Sequence, residues 1–191
     1  MNILQKIIKR KKDEVREKSQ ITSLERIRES QRLYAIRDLK GALLSESPAI
    51  IAEIKFRSPS EGEILSGVEP AVVAASYEKN GATAISVLTD QPYFGGKLEF
   101  IQQVKTSVNI PVLRKDFIIS EYQIWESFHA GADAILLIAD VLNKDHCKKL
   151  YSLAAELGLH VLLETHAEKH LQWIHTLNPD IVGVNCRDLK S

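Results

Sequence analysis

The chain has 191 residues, of which 45% are hydrophobic and 26% are charged, which is enough to bury one sizeable core and excludes an intrinsically disordered protein. Its 25 lysines and arginines balance its 25 aspartates and glutamates, so no overall field favours nucleic acid or an anionic membrane surface as a partner. No stretch predicts a membrane span or a targeting segment, and the two cysteines, Cys147 and Cys186, lie far apart. We therefore expect a single soluble domain over 1–191, located in the cytoplasm with reduced, buried or half-buried thiols.

Residues 1–48 predict a helical N-terminal extension. Ile3, Ile7 and Val15 recur at helical spacing, and the basic residues between them are expected to form a solvated helix face. A second, charge-rich helix is expected over 23–30 with Ser23 as a candidate cap, and 38–44 leads from it to the first strand.

From residue 49 onward, short apolar runs alternate with helical stretches, which is the pattern of a βα repeat. Strands are predicted over 50–55, 84–88, 111–115, 134–138, 160–164 and 181–185. Helices are predicted over 70–80, 98–106, 120–130, 144–157 and 167–177. An internal similarity supports this division, because Gly81, Ala84 and Asp90 recur as Gly131, Ala134 and Asp140 at a constant offset.

The predicted strands are apolar throughout, so both of their faces are expected to be covered and the sheet to be parallel. A closed barrel and a doubly wound sheet both accommodate such strands. The barrel is favoured because polar residues end four of the strands (Lys55, Lys115, Glu164 and Asn185), and only a ring lets all of them converge on one point. We expect an α/β fold of the (β/α)8 TIM-barrel type, truncated after about six strands, in which 49–191 supplies the first six βα units.

The charges at the strand ends are predicted to point inward. Residues two apart in a strand share a face, so Glu53 and Lys55 lie on the side of Ile51. Lys115 and Glu164 likewise share faces with apolar neighbours. Such groups can take opposite protonation roles, because burial and neighbouring charges move pKa values apart. An internal ion-pair network that only fastens the sheet is the alternative, but two lysines and two glutamates at strand ends favour catalysis.

Two further patterns in the sequence do not predict a metal or nucleotide site. His166 and His170 are four residues apart with Glu168 between them, but a zincin requires the glutamate directly after the first histidine, and no third ligand is evident. A solvated helix face is expected there instead. Glycine-rich loops of P-loop or Rossmann spacing are absent from the sequence. We therefore expect no metal and no cofactor.

Six strand-end motifs together resemble a known family. In chain order they are IAEIKFRSPSEG, SVLTDQPYFGG, PVLRKDFI, ADAILLI, LLETH and VGVNCRDL. In order and spacing they are similar to the indole-3-glycerol-phosphate synthases, barrel lyases (carboxy-lyases) of tryptophan biosynthesis with an N-terminal helical segment over the site. The resemblance implies ring closure of 1-(2-carboxyphenylamino)-1-deoxyribulose 5-phosphate to indole-3-glycerol phosphate, with loss of carbon dioxide and water. The chain departs from the family at Phe56, Arg57 and Cys186, where small or polar residues are more usual.

The resemblance also implies a catalytic set. Lys115 matches the general acid that protonates the ketone oxygen, and Glu164 matches the base of the later dehydration. Glu53 would steer Lys115 and the substrate amine. Lys55 would hold the ring carboxylate or the sugar hydroxyls, and Asn185 would add a neutral hydrogen bond.

A second implied set binds the substrate. Ser58 would donate a hydrogen bond, and Arg187 would hold two oxygens of the carboxylate or the sugar at once. Phe94, Phe117 and Leu136 match the apolar wall against which the anthranilate ring lies.

Two consequences stay open at this stage. The family continues through two more βα units, which usually provide the phosphate site, so low activity is expected of residues 1–191 alone. The first and sixth strands would have unpaired edges, and the sequence does not choose between self-association and coverage by the N-terminal helices. The alternative function is a non-catalytic barrel fragment acting as a binding or assembly module. Another phosphosugar barrel, such as the neighbouring isomerase of the pathway, lacks this motif set.

Overall fold

A computed structural model describes residues 2–185 of the chain. Its main sheet is parallel and is formed by β1 (Ile51–Ile54), β4 (Ala84–Leu88), β5 (Val112–Lys115), β6 (Ala134–Ile138), β7 (His160–Thr165) and β8 (Ile181–Val184). These strands lie side by side in the order β1-β4-β5-β6-β7-β8. A small antiparallel hairpin, made of β2 (Arg57–Ser58) and β3 (Gly62–Glu63), follows β1.

Helices precede the sheet and connect its strands. They are α1 (Ile3–Ile21), α2 (Leu24–Arg28), α3 (Leu39–Ser45), α4 (Pro70–Lys79), α5 (Gln91–Phe94), α6 (Glu99–Ser107), α7 (Glu121–Ala130), α8 (Lys144–Glu156) and α9 (Leu171–Leu177). The predicted order of elements is confirmed, and the Ser23 hydroxyl does cap α2 by accepting from the Arg26 amide. The helix expected over 167–177 begins instead with a 3-10 turn over Glu168–His170. The hairpin and α5 are additions that the apolar pattern does not predict, because both are short and held by loop hydrogen bonds.

The main sheet is curled rather than flat, which confirms the expected barrel-type α/β fold. Lys115 of β5 lies within 4 Å of Glu53 on one side and of Glu164 on the other. Side chains from both flanks of β5 therefore meet at one point.

Two apolar layers cover the outer face of the sheet. One packs α4 and α6 on β1, β4 and β5 around Ile85 and Val104. The other packs α7, α8 and α9 on β6 and β7 around Ile135 and Leu150. These layers leave the inner face of the curl available for a site.

Helix α3 closes the inner face at the amino ends of the strands. Leu39 is fully buried there against Ala84, Leu113 and Ala134, and Leu43 packs on the same cluster. The Asp38 side chain caps α3 by accepting from the Gly41 amide. With its amino end filled, the curl leaves its inner face accessible at the carboxyl ends of its strands.

The prediction that both faces of every strand are covered is confirmed at the centre of the sheet but is wrong for β8 at its end. β4 and β6 are buried at every residue, whereas Val182 and Val184 of β8 are 45% and 71% exposed. Within residues 2–185, no strand pairs with the outer edge of β1 or β8. Helices α1 and α2 pack on α7, and α3 packs on β4, so they do not extend the sheet. Among the described residues, no helix has the length and apolarity needed to span a membrane.

Candidate active site

A cavity of about 540 Å³ lies at the carboxyl ends of the strands, within the size range of small-molecule sites. It is lined by Glu53, Lys55, Leu88, Phe94, Lys115, Asp116, Phe117, Leu136, Ile138, Glu164, Val184 and Asn185. The register of the sheet aligns these ends, because Leu88 pairs with Lys115, and Ile138 pairs with Glu164. The predicted convergence of polar side chains at one edge is therefore present in the structure.

An alternating chain of charged and polar groups crosses the cavity. Lys115 Nζ lies 3.6 Å from Glu164 Oε2 and 3.9 Å from Glu53 Oε2. The second Glu53 oxygen, Oε1, lies 3.6 Å from Lys55 Nζ. Asn185 Nδ2 donates to Glu164 Oε1 at 2.9 Å. A single ammonium thus faces two carboxylates from opposite flanks of the sheet, and it can release a proton toward a group bound between them.

The charged groups remain partly accessible to solvent. The exposed fraction of the side chain is 26% for Lys115 and 13% for Glu164. Glu53 is more open than either, at 37%. Groups in this range keep a route to solvent for proton exchange and are still within reach of a bound ligand.

An aromatic wall stands beside these charges. The rings of Phe94 and Phe117 lie 6.2 Å apart between centroids at 34°, and Leu136 contributes to the same cavity. The loop carrying Phe94 passes close to β4, where a Cβ at Gly96 would lie 2.1 Å from the Leu88 carbonyl oxygen. Glycine at this position therefore allows the close approach that brings Phe94 to the end of the sheet.

Of the predicted substrate-binding residues, Ser58 is not part of the cavity lining. The Ser58 hydroxyl contacts Ser60 and Glu61 within the hairpin loop and accepts from the Glu61 amide. Arg187 lies outside the described residues. Of the lining residues, Leu88, Asp116, Ile138 and Val184 were not predicted. Asp116 had a signal, since it follows Lys115 directly in the RKD motif.

Asp116 lines the cavity and also joins a buried network. Its Oδ2 accepts from Thr89 Oγ1 at 2.7 Å and from Arg114 Nη2 at 2.9 Å. Arg114 is 1% exposed and also donates to the Gln123 carbonyl and the Ser127 hydroxyl of α7. Burial by itself would raise the pKa of Asp116, but the charges of Arg114 and Lys11 outweigh it and hold this pKa well below its usual range. Asp116 therefore stays ionised at neutral pH beside the cavity.

Lys11 is an exception on α1, where the expected solvated basic face is otherwise present because Lys9, Arg10 and Lys12 are exposed. Its side chain is 1% exposed, and Nζ lies 2.9 Å from Asp116 Oδ1, 3.0 Å from Asp90 Oδ2 and 2.9 Å from Glu14 Oε2. Burial lowers the pKa of Lys11, but the nearby carboxylates of Asp116 and Asp90 raise it above its usual value. A sequence signal existed, because Lys11 lies four residues after Ile7 and four before Val15, on the apolar stripe of the helix.

The prediction that His166 and His170 lie on a solvated helix face is also wrong in part. His170 Nδ1 lies 3.6 Å from Asp140 Oδ1, and its ring packs near Trp173. His166 Nδ1 lies 2.9 Å from the Asn185 carbonyl oxygen. Both rings therefore bond at the carboxyl ends of β6, β7 and β8. Among residues 2–185, no group of three or more histidine, cysteine or acidic side chains is arranged to hold a metal ion.

The curled parallel sheet, closed at one end and carrying titratable side chains at the other, defines an α/β protein of the (β/α) barrel type with its site at the carboxyl ends of the strands. A family model for indole-3-glycerol phosphate synthase matches residues 4–191. The chain belongs to the indole-3-glycerol phosphate synthase family.

Curated relatives agree with the family model. An indole-3-glycerol phosphate synthase of Bacteroides thetaiotaomicron is 43% identical over 189 residues, which cover 98% of this chain and 72% of the relative. One of Neisseria meningitidis serogroup C is 42% identical over 195 residues, covering 100% and 75%. One of Alkaliphilus metalliredigens is 42% identical over 191 residues, covering 99% and 73%. The similarity therefore extends from α1 through the whole described sheet.

Proposed function

We propose that the protein is an indole-3-glycerol-phosphate synthase, a carbon–carbon lyase of tryptophan biosynthesis acting on 1-(2-carboxyphenylamino)-1-deoxyribulose 5-phosphate. The observation that carries the proposal is the position of Lys115 between Glu53 and Glu164 beside the Phe94–Phe117 wall. An acid flanked by two carboxylates and an aromatic surface suits a substrate that joins an anthranilate ring to a sugar chain. Family membership supports the same assignment.

In the first step, the ring carbon that carries the carboxylate forms a bond to the ketone carbon. The ketone oxygen takes a proton from Lys115 and becomes a hydroxyl, and carbon dioxide then leaves as its bonding electrons restore the aromatic ring. A lysine 26% exposed beside apolar residues is a competent acid for this transfer. The aromatic wall of Phe94, Phe117 and Leu136 holds the ring so that the two carbons approach.

In the second step, the new hydroxyl leaves as water and the methylene carbon beside the nitrogen loses a proton, which completes the indole. Glu164 is the base for this proton and passes it to the departing hydroxyl, so that the step releases one water molecule. Asn185 fixes one oxygen of Glu164 and leaves the other free to act near Lys115. Glu53 steers Lys115 and the substrate amine.

Binding of the carboxylate and the sugar falls to the remaining predicted residues. Lys55 Nζ lies 3.6 Å from Glu53 and 3.9 Å from Glu61 of the hairpin loop, so it can turn toward an incoming anion without losing both partners. We propose that Lys55 holds the ring carboxylate together with Arg187. Ser58 would serve the sugar hydroxyls after a rearrangement of its loop.

The reaction as written uses only proton transfers, so we expect it to proceed without a metal or an organic cofactor and in the cytoplasm, where amino-acid precursors are made. We also expect slow turnover from the 191-residue polypeptide by itself. The cavity is bounded on one side by β8, whose Val184 is 71% exposed, and water admitted there weakens the field acting on the reacting groups. No strand within residues 2–185 pairs with the outer edge of β1 or β8, and pairing of these edges between copies is the self-association we expect at high concentration.

The proposal is tested with enzyme in excess over substrate, following indole fluorescence through a single turnover. We expect product from the parent chain, with and without EDTA, and a loss of about 10²-fold or more in rate for Lys115→Met. Absence of product from a folded parent chain after prolonged incubation would contradict the assignment and favour a binding or assembly module. Light scattering over a concentration series tests the edge pairing separately.

A further inference from the structure

Lys11 connects the N-terminal helix to both halves of the aromatic wall. Its Nζ contacts Asp90 Oδ2 at 3.0 Å and Asp116 Oδ1 at 2.9 Å. The other oxygen of Asp90 accepts from the Tyr93 amide at 2.9 Å and so caps α5, which ends at Phe94. The Asp116 oxygen that faces Lys11 also accepts from the Phe117 amide, at 2.8 Å.

Asp90 and Asp116 carry the same charge, so their close approach depends on the Lys11 ammonium between them. Asp90 and Asp116 are 1% and 3% exposed, and both lie within 3.0 Å of the same nitrogen. Two buried carboxylates so close repel each other unless a cation lies between them. Asp116 has a second cation in Arg114, whereas the only ammonium or guanidinium within ion-pair distance of Asp90, among residues 2–185, is that of Lys11.

We propose that Lys11 is a positioning residue for the active site, an inference that rests on the proposed function. From α1, Lys11 holds α5 and the loop between β5 and α7 together. It thereby fixes the Phe94–Phe117 wall that receives the anthranilate ring. Lys11 does not line the cavity, so it acts through Asp90 and Asp116. The contact with Asp116 also fixes the position of the residue that directly follows Lys115. The N-terminal helix is thus part of the site's framework through the Lys11 side chain.

Simple stabilisation of α1 is the competing interpretation. It would explain the burial of Lys11, and it predicts that removing the ammonium loosens the whole fold evenly. The geometry predicts a local effect instead, because both carboxylates bond to amides of residues that carry or adjoin the wall. The two interpretations differ in which amides lose protection.

Hydrogen exchange of the full chain without ligand separates them. In Lys11→Met we expect the amides of Tyr93 and Phe117 to exchange about tenfold faster or more, while the Ile135 amide in β6 changes by less than about twofold. The matched control is Lys9→Met, which removes the same charge from an exposed position of α1. An equal rise at all three amides, or no change at Tyr93 and Phe117, would overturn the proposal.

A binding measurement adds the functional consequence. We expect N-methylanthranilate, followed by its own fluorescence, to bind the Lys11→Met chain about threefold to tenfold more weakly than the parent or Lys9→Met, which corresponds to a loose rather than a missing wall. Unchanged binding would overturn the positioning role. Failure of the parent to bind the probe would instead count against the proposed function, and the exchange data would still decide whether Lys11 fixes the two loops.

If Lys11→Met does not fold, the double variant Lys11→Met with Asp90→Asn removes one cation and one anion together. The side-chain oxygen that Asp90→Asn retains can still cap α5, and Arg114 still pairs with Asp116. We then expect the faster exchange at Phe117 to remain, relative to Asp90→Asn alone. Equal exchange at Phe117 in these two variants would overturn the proposal.

Discussion

Asn185 Nδ2 donates to Glu164 Oε1 at 2.9 Å, while Glu164 Oε2 faces Lys115 Nζ at 3.6 Å. The amide nitrogen can only donate, so it holds this oxygen in place without competing for the second oxygen of the carboxylate. Glu164 is thereby oriented from the end of β8 and paired with a charge from β5. In the proposed reaction, these two contacts would let one carboxylate hold the Lys115 acid in the first step and act as a base in the second.

Substituting Lys115 by methionine should abolish ring closure while preserving the substrate site. Methionine retains much of the chain length but offers no proton, and general acid catalysis contributes about 10²–10⁴-fold. We expect the single-turnover rate to fall by that factor and substrate affinity to stay within about tenfold. The exposed Lys144→Met on α8 is the control and should match the parent. A Lys115→Met chain that keeps more than a tenth of the parent rate would remove this residue from the acid role.

Substituting Glu164 by glutamine should slow dehydration more than ring closure. The amide preserves the shape of the side chain but cannot accept the methylene proton. In rapid-quench experiments we expect a decarboxylated intermediate that still carries the hydroxyl to accumulate, as it does not in the parent. Glu168→Gln, an exposed change on the next segment, should leave the time course unaltered. Failure of the intermediate to accumulate would show that another group is the late base.

Asp133→Ala should destabilise the fold strongly. This fully buried carboxylate pairs with Lys105 and accepts from the amides of Arg37 and Val112 at 2.7 and 2.8 Å. Its removal leaves a buried ammonium and two amides without their acceptor, which typically costs about 3–5 kcal/mol. Urea unfolding followed by circular dichroism measures the loss. The exposed Asp145→Ala should cost less than about 1 kcal/mol, and a similar value for Asp133→Ala would contradict the ion-pair argument.

Cys147 should make the protein less stable at alkaline pH. Burial raises the pKa of its thiol from about 9 in the unfolded chain to about 11. The contribution of the protonated thiol is fully present below pH 9. It is lost as the pH rises toward 11, because only the unfolded chain ionises in that window. The free energy of unfolding should fall more steeply between pH 9 and 11 for the parent than for Cys147→Ala, and parallel curves would contradict the assignment.

The fold was predictable where the pattern of apolar residues was strong. The runs at 84–88 and 134–138 became β4 and β6 without change, since buried central strands are apolar at every position. The end of the sheet was less predictable, because the exposure of Val182 and Val184 depends on what lies beside β8 rather than on its sequence. The hairpin of β2 and β3 escaped prediction because two-residue strands carry no periodicity.

The cavity was predictable from side-chain parity, but its support was not. Alternation along β1, β5 and β7 was sufficient to direct Glu53, Lys115 and Glu164 inward. The contact of Lys11 with Asp116 joins residues about a hundred positions apart in the chain, and no local pattern specifies such a pairing. Ser58 is the opposite case. Its motif predicts a role in substrate binding, whereas in the structure its hydroxyl accepts from the Glu61 amide within the hairpin loop.

Arg114 gives β5 a safeguard against misalignment. Arg114 and Lys115 are consecutive, so their side chains leave the strand on opposite sides, and a shift by one residue would exchange them. The guanidinium would then enter the cavity and lose its bonds to Gln123 and Ser127 of α7, and an ammonium with three donors would face α7 in place of a guanidinium with five. A misaligned β5 would therefore remove the proposed proton donor from the cavity and would also destabilise the fold.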